Sequence, residues 1–224
     1  IPSRCPRGHS PSHKDFDGLW ARCEEAGLPI LFHVGGEEKM NSDFARNGGP
    51  LQPDWLGGAE NFTALSFVCI PNSVMQTIAA LIFDGVLDRF PSLKFGAIEL
   101  GASWVPSWMR WLDTAQDAFR REERVQRLSA RPSEIVQRQF RVTPYAHEDI
   151  GWIIAQAGDQ VAMFSSDYPH IEGGRNPIKR FEASFAAAGT PAEARRRFYR
   201  DNFVDLMGRG LAEDLRAPAN LTGA

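Results

Sequence analysis

The sequence has 224 residues, of which 43% are hydrophobic and 24% charged, and 25 Lys and Arg against 28 Asp and Glu give a net charge of −3. This balance is typical of a globular domain with a sizeable core, and it does not favour a nucleic acid or an anionic membrane as a partner. Three cysteines without CxxC spacing, Cys5, Cys23 and Cys69, argue against a disulfide framework or a cysteine-zinc module, so reduced buried thiols are expected.

The N-terminal residues IPSRCPRGHSPSH form a Pro- and Ser-rich loop in which His9 and His13 are expected to be exposed to solvent. This segment has no hydrophobic region of the signal-peptide kind, and no apolar run of about 18 residues predicts a membrane span. We therefore expect a cytoplasmic protein that does not contact a membrane. Because the chain does not begin with Met, we also expect it to be part of a longer natural product.

Helical spacing of apolar residues over 15–27 predicts a first helix that ends at Gly27. The apolar run PILFHV then predicts a strand covered on both faces that ends at His33. Residues 35–60 are rich in Gly, Asn and Pro and predict a long loop. Residues 61–89 return to helical spacing, with a break at Pro71.

The segment KFGAIEL predicts a second strand ending at Glu99, followed by a helix that starts near Pro106. An apolar stripe should mark this helix: Trp104, Trp108, Trp111, Leu112, Ala115 and Phe119. The charged run RREER at 120–124 is expected to be its solvated end. Further along the chain the pattern predicts a third strand in 138–145 with a helix after it, a fourth strand in 161–170 ending at Asp167, and helices over 177–188 and 191–207.

Four strand–helix units in succession predict a parallel α/β fold. The competing architecture, a doubly wound sheet, usually carries a glycine-rich turn after its first strand. The sequence contains neither GxGxxG nor GxxxxGK[ST], so a barrel is favoured.

Three ionisable residues, His33, Glu99 and Asp167, each end an apolar strand. The carboxyl ends of parallel strands share one edge, where an ionisable side chain is costly unless it is paired or bound. Each residue also has a structural alternative. His33 could be a core histidine bonded to a backbone carbonyl, Glu99 could cap the next helix, and Asp167 could form an Asx turn in SDYP.

Other polar and aromatic residues allow less specific expectations. His170 follows Asp167 at a spacing of three and is a candidate to support that residue or to contact substrate. His147, at a helix start, is expected to act as a cap. Three aromatic residues could line a pocket for a flat organic acid: Trp55, Trp104 and Tyr168. Trp104 could equally be part of the helix core.

The segments LPILFHVGG, FPSLKFGAIELGASWVPSWMRWLD, RQFRVTPY, FSSDYPHIEGG and RRFYRDNFVDLMG occur in this order and spacing. Together they resemble the amidohydrolase-related family that includes aminocarboxymuconate-semialdehyde decarboxylase, over residues 10 to 208. The resemblance implies a distorted (β/α)8 TIM-type barrel with one divalent metal ion, zinc first, with manganese or iron as alternatives. It also implies that His33 and Asp167 are metal ligands and that Asp167 moves protons.

The sequence departs from the family pattern in two places. Where decarboxylases carry a histidine after the sixth strand, this chain has Glu99, so decarboxylase activity does not carry over directly. The first-strand metal ligands are also missing, because the chain aligns with strands five to eight only. The expected domain therefore covers 1–210 as the C-terminal part of a barrel, with a tail at 211–224, and a missing N-terminal segment or a partner chain would complete the barrel.

These expectations leave three functions open. The first is a metal-dependent hydrolase of a small organic, carboxylate-bearing or aromatic substrate, with Asp167, Glu99 and His170 as catalytic residues. The second is a non-oxidative decarboxylase or hydratase of the same family. The third is a metal-free relative or accessory subunit. A homo-oligomer is compatible with each of them.

Overall fold

The computed structural model describes residues 8–34, 44, 48, 49, 63–170 and 173–216. Within these ranges the chain alternates strands and helices, as the sequence predicts. In chain order the elements are α1 (Asp17–Ala26), β1 (Ile30–His33), α2 (Ala64–Cys69), α3 (Asn72–Phe83), α4 (Val86–Arg89), β2 (Phe95–Ile98), α5 (Val105–Ala118), α6 (Glu123–Gln126), α7 (Pro132–Gln139), β3 (Phe140–Val142), α8 (Ile150–Ala157), α9 (Pro177–Ala188), α10 (Ala192–Arg196), α11 (Asn202–Met207) and α12 (Glu213–Arg216).

The three strands form one parallel sheet whose spatial order, β1-β2-β3, follows the order of the chain. Ile30 is opposite Phe95, and Phe95 is in turn opposite Phe140. The predicted fourth strand appears as a single parallel bridge between Val142 and Ala162, which places its segment beside β3. The carboxyl ends of all four segments therefore lie along one edge.

The sheet is buried on both faces at β2 and β3, as expected for a parallel sheet. The same expectation is wrong for β1, where burial alternates along the strand. Ile30 and Phe32 are buried, whereas Leu31 is 37% exposed and the His33 side chain 57% exposed. β1 is the edge strand of the described sheet, and among the described residues fewer groups cover Leu31 and His33 than cover Ile30 and Phe32.

Helix bounds agree well with the sequence prediction. Gly27 ends α1 with φ 67°, a left-handed conformation that glycine adopts without strain, and Pro71 separates α2 from α3. Helix α5 begins at Val105 with Pro106 in its first turn. Trp108 and Leu112 are buried on it, but Trp111 and Phe119 are exposed, so the predicted stripe is only partly core.

The segment Ala64–Phe83 is long and apolar enough to cross a membrane by length and composition, which corrects the expectation that no such run exists. Core helices of soluble proteins pass the same test. In the fold this segment is divided at Pro71, and Val74, Ile78 and Leu81 of α3 are fully buried in the core.

The helix predicted over 191–207 contains a wider π-helical turn at Arg197–Asp201, between α10 and α11. Buried Phe198 lies in this turn, and buried Asn202 follows it. The Asn202 amide donates to the carbonyls of Asp159 and Ala162, each at 2.7 Å, and the Phe164 N–H donates to the Phe198 carbonyl at 2.8 Å. This turn therefore holds the segment that leads to Asp167.

Some predictions concern residues outside the described ranges. Cys5, Trp55 and most of the loop predicted over 35–60 are among them. Of the remaining thiols, Cys23 and Cys69 are free and half-buried, so they are less enclosed than expected.

Candidate metal centre

The three ionisable residues predicted from the strand ends lie at the same edge of the sheet. His33 is the last residue of β1, and Glu99 directly follows β2. Asp167 lies beyond the segment that pairs with β3 at Ala162. The parallel order of the strands thus brings together residues that are more than 60 positions apart in the sequence.

Glu99 lies between two imidazoles. Its Oε2 is 3.1 Å from His33 Nε2, and its Oε1 is 3.8 Å from His170 Nδ1. The side chain is only 18% exposed, and the backbone φ of 57° is left-handed. Such a conformation costs a non-glycine residue on the order of 1–3 kcal/mol, and strained residues of this kind are concentrated at functional sites.

Asp167 has the same unusual backbone, with φ 52°, and its side chain is 5% exposed. Its Oδ1 is 3.3 Å from His170 Nδ1, and the backbone N–H of His170 donates to the Asp167 carbonyl at 2.9 Å. Asp167 is followed by a cis peptide bond between Tyr168 and Pro169. The hydrogen bond from the His170 N–H closes a turn that brings the imidazole back to the Asp167 carboxylate, and the role predicted for His170 stays a prediction.

Glu99, Asp167 and His170 each offer a ligand atom, and these atoms all lie within 4.8 Å of one another. Two carboxylates that close together and largely shielded from water repel each other, and a cation between them removes that cost. Carboxylate and imidazole donors suit zinc, manganese or iron. The donor set therefore fits a divalent metal ion.

His33 joins this cluster through Glu99 rather than through Asp167. Its Nδ1 is 2.8 Å from the Val34 carbonyl and must donate there, because a carbonyl oxygen can only accept. A neutral His33 then directs the lone pair of Nε2 at the Glu99 carboxylate, 3.1 Å away. Two acceptors in contact require a proton or a cation between them, and a backbone carbonyl on the other ring nitrogen is typical of metal-binding histidines.

The structure also decides between the alternatives for these residues. His33 bonds a backbone carbonyl, but it is too exposed to be a core histidine. Glu99 does not cap α5, because Glu148 accepts hydrogen bonds from the N–H groups of Ala102 and Ser103 at the start of that helix. An Asx turn at Asp167 would need an N–H two residues on, where Pro169 has none.

The expected helix cap at His147 is wrong. Asp149 caps α8, since its carboxylate accepts from the Trp152 N–H, whereas the His147 ring stacks on Tyr145. Aspartate is a preferred cap because its short side chain brings a charged acceptor oxygen to the free N–H groups of the first helical turn. His9 and His13 are exposed, as predicted.

The aromatic residues proposed as a pocket lining are separated in the fold. Trp104 packs edge-on against Trp108 and Phe140, and its indole N–H donates to the Leu100 and Gly101 carbonyls. It belongs to the core side of α5. Tyr168, next to Asp167, is exposed and remains available to a ligand.

Sequence reasoning missed the residues that hold Glu99 from the next strand–helix unit. Thr143 and Tyr145 follow β3 and bond the Glu99 backbone, and Glu148 bonds the loop after it. The available signal was their position, because polar residues also follow the third strand, in TPY.

Parallel strands whose carboxyl ends are followed by carboxylate and imidazole side chains are typical of metal-dependent enzymes of the α/β-barrel class. A family model described as amidohydrolase matches residues 1–207, and the chain belongs to that family. A search of curated proteins finds no match.

Three solved structures illustrate the likeness in fold. An amidohydrolase from Mycobacterium avium subsp. paratuberculosis K-10 is 28% identical, with a TM-score of 0.68 over 89% of this chain and 47% of the other. A 5-carboxyvanillate decarboxylase from Sphingomonas paucimobilis is 18% identical, with 0.62 over 90% and 56%. A dihydroxybenzoic acid decarboxylase from Polaromonas sp. JS666, with bound manganese, is 16% identical, with 0.61 over 96% and 60%.

The chain thus spans about half to three fifths of the length of these solved structures. Amidohydrolase relatives imply a TIM-type barrel, to which the described residues contribute a small parallel sheet with its helices. The assignment of this sheet to strands five to eight stays a prediction.

Proposed function

We propose that this chain supplies part of the active site of a metal-dependent enzyme that hydrolyses a small organic acid or a related aromatic compound. The proposal depends on one observation, the convergence of Glu99, Asp167 and His170 within ligand distance of one another. Membership of the amidohydrolase family supports it, as does the manganese in the structure of the Polaromonas decarboxylase.

The metal would be held by Asp167, Glu99 and His170, with His33 as a further ligand, and zinc, manganese and iron all suit these donors. When bound, a divalent ion supplies electrophilic polarisation of a substrate oxygen and charge neutralisation. The remaining tasks are carried out by the side chains. Asp167 can accept and release a proton of a bound substrate or water molecule, and the low exposure of its side chain excludes competing water.

Hydrolysis is favoured because Glu99 places a carboxylate where decarboxylases of the resembling family carry an imidazole. Activation of a water molecule requires a general base, and the Glu99 carboxylate, 3.1 Å from His33 Nε2, is a group of that kind. Decarboxylation is the second candidate, since two of the fold relatives are named as decarboxylases of aromatic acids. Assays on amide, lactone and aromatic-acid panels separate the two reactions.

Metal content tests the proposal most directly. The purified protein, grown with zinc and manganese, should carry about one metal ion per chain by elemental analysis, and a His33→Ala, Asp167→Ala double variant should carry almost none. Asp117→Asn is a matched control, because Asp117 is an exposed carboxylate on α5 that pairs with Arg131, the residue before α7. A metal-free wild-type protein under these conditions would overturn the proposal and favour an accessory subunit.

The same proposal includes several features of the whole protein. They are a cytoplasmic location, a small-molecule substrate as the partner, a homo-oligomeric state, and a further N-terminal segment or chain that completes the barrel. Size-exclusion chromatography with light scattering measures the oligomeric state.

A further inference from the structure

The backbone of Glu99 is held on both sides by residues that follow the neighbouring strand. The Glu99 N–H donates to the Thr143 hydroxyl at 3.1 Å, and the Tyr145 hydroxyl donates to the Glu99 carbonyl at 2.7 Å. Thr143 is itself fixed to β2, since its N–H donates to the Ala97 carbonyl at 3.1 Å. Both peptide groups that flank the left-handed Glu99 are therefore held by the segment that follows β3.

Glu148 ties the same two loops together with a single carboxylate. It accepts from the N–H groups of Ala102 at 3.0 Å, Ser103 at 2.6 Å and Tyr145 at 2.6 Å. Gly101, in the loop after β2, has a left-handed backbone with φ 66°. A Cβ at this position would lie 3.2 Å from the Tyr145 ring. The loop after β2 and the loop after β3 are thus packed and bonded as one unit.

We propose that Thr143, Tyr145 and Glu148 are positioning residues that hold Glu99 in its left-handed conformation and thereby aim its carboxylate at the metal centre. Without these bonds the backbone of Glu99 would relax to the β or the right-handed helical region, as non-glycine residues do. That change would turn its Cα–Cβ bond away from the present direction. The Glu99 carboxylate would then leave His33 and His170. This inference rests on the proposed function, because it explains the orientation of Glu99, which that proposal makes a metal ligand.

The first experiment measures Mn²⁺ and Zn²⁺ affinity by calorimetry and by competition with a chromophoric chelator. Tyr145→Phe removes one hydroxyl, and Thr143→Val removes another at constant shape. Each should weaken binding by about tenfold, the usual effect of losing a group that orients a ligand. Thr143→Ser keeps the hydroxyl and should bind like wild type. Thr114→Val is the control, because the Thr114 hydroxyl donates to the Arg110 carbonyl within its own helix, α5.

A double-mutant cycle separates positioning from mere structural support. In a Glu99→Gln background the metal affinity is already reduced, and Tyr145→Phe should then add almost nothing. A purely structural role would lower affinity by the same factor in both backgrounds. Thermal unfolding of every variant confirms folding, and Thr143→Val provides an independent test if Tyr145→Phe does not fold.

The outcomes distinguish this inference from the proposed function. If wild type binds metal and Glu99→Gln weakens binding, but both hydroxyl deletions stay within about twofold of wild type, the positioning role is wrong and the proposed function stands. If wild type binds neither ion, the proposed function fails and this inference fails with it. Additive effects in the cycle also overturn the positioning role.

Discussion

Arg141 carries a charge buried on the sheet, and Asp205 on α11 neutralises it. The Arg141 side chain is 5% exposed, and its Nη2 donates to Asp205 Oδ2 at 2.5 Å. Burial lowers the pKa of the guanidinium, and the Asp205 charge partly offsets that shift. We predict that Asp205→Asn destabilises the fold, because it removes the counter-charge and leaves the guanidinium in place.

The magnitude follows from the burial of the two partners. Breaking a fully buried ion pair by removing one member costs about 3–5 kcal/mol. The Asp205 side chain is 42% exposed, so water replaces part of the lost interaction, and the asparagine oxygen can still accept one hydrogen bond. We therefore expect a loss of about 2 kcal/mol, which for a protein of this size lowers the Tm by roughly 4–8 °C.

Thermal and urea unfolding followed by circular dichroism measure this loss, with Asp117→Asn as an exposed control paired with Arg131. The double variant Arg141→Met, Asp205→Asn should be more stable than Asp205→Asn alone, because the buried guanidinium that has lost its partner is removed as well. The reasoning is refuted if Asp205→Asn lowers Tm no more than the control does, or if Arg141→Met gives no recovery.

Three further predictions concern the metal centre and the packing of α8. Mn²⁺ at about 100 times its Kd should stabilise the protein by about 2.7 kcal/mol. The expected result is an increase in Tm that EDTA reverses and that Asp167→Asn abolishes. An unchanged Tm would contradict a metal site that forms only in the folded protein. Gly151→Ala would place a Cβ 2.6 Å from that of Ala188 and should cost about 1–3 kcal/mol in urea unfolding; a neutral effect would mean that α8 and α9 can separate. Asp149→Ala removes the cap of α8 and its bond to the Ser184 hydroxyl, and should cost about 1 kcal/mol, whereas Asp149→Ser should recover most of it.

The parallel fold and the site edge could be predicted from the sequence because both depend on local patterns. Apolar runs set the strands, and an ionisable residue at the end of such a run marks the edge where loops meet. His33, Glu99 and Asp167 were found in this way, and the structure brings Glu99 into contact with His33 and, through His170, with Asp167.

The remaining features depend on partners distant in sequence. By its position in the sequence, Glu99 could cap α5, but Glu148 in the loop after β3 accepts the hydrogen bonds from the N–H groups before that helix. Nothing in the sequence near residue 99 indicates this acceptor. The exposure of Leu31 depends on which strands flank β1, not on its own sequence. Thr143 and Tyr145 act on the backbone of Glu99, a contact that side-chain patterns do not encode.

The shared carboxylate of Glu148 limits how this scaffold could be re-engineered. New specificities in barrels usually arise by exchanging one loop at a time at the catalytic edge. Here Glu148 belongs to the segment after β3, so replacing that segment alone would leave the N–H groups of Ala102 and Ser103 without their acceptor. Replacing the segment around Ala102 alone would remove two of the N–H donors to the Glu148 carboxylate. A successful loop exchange would have to replace both segments together.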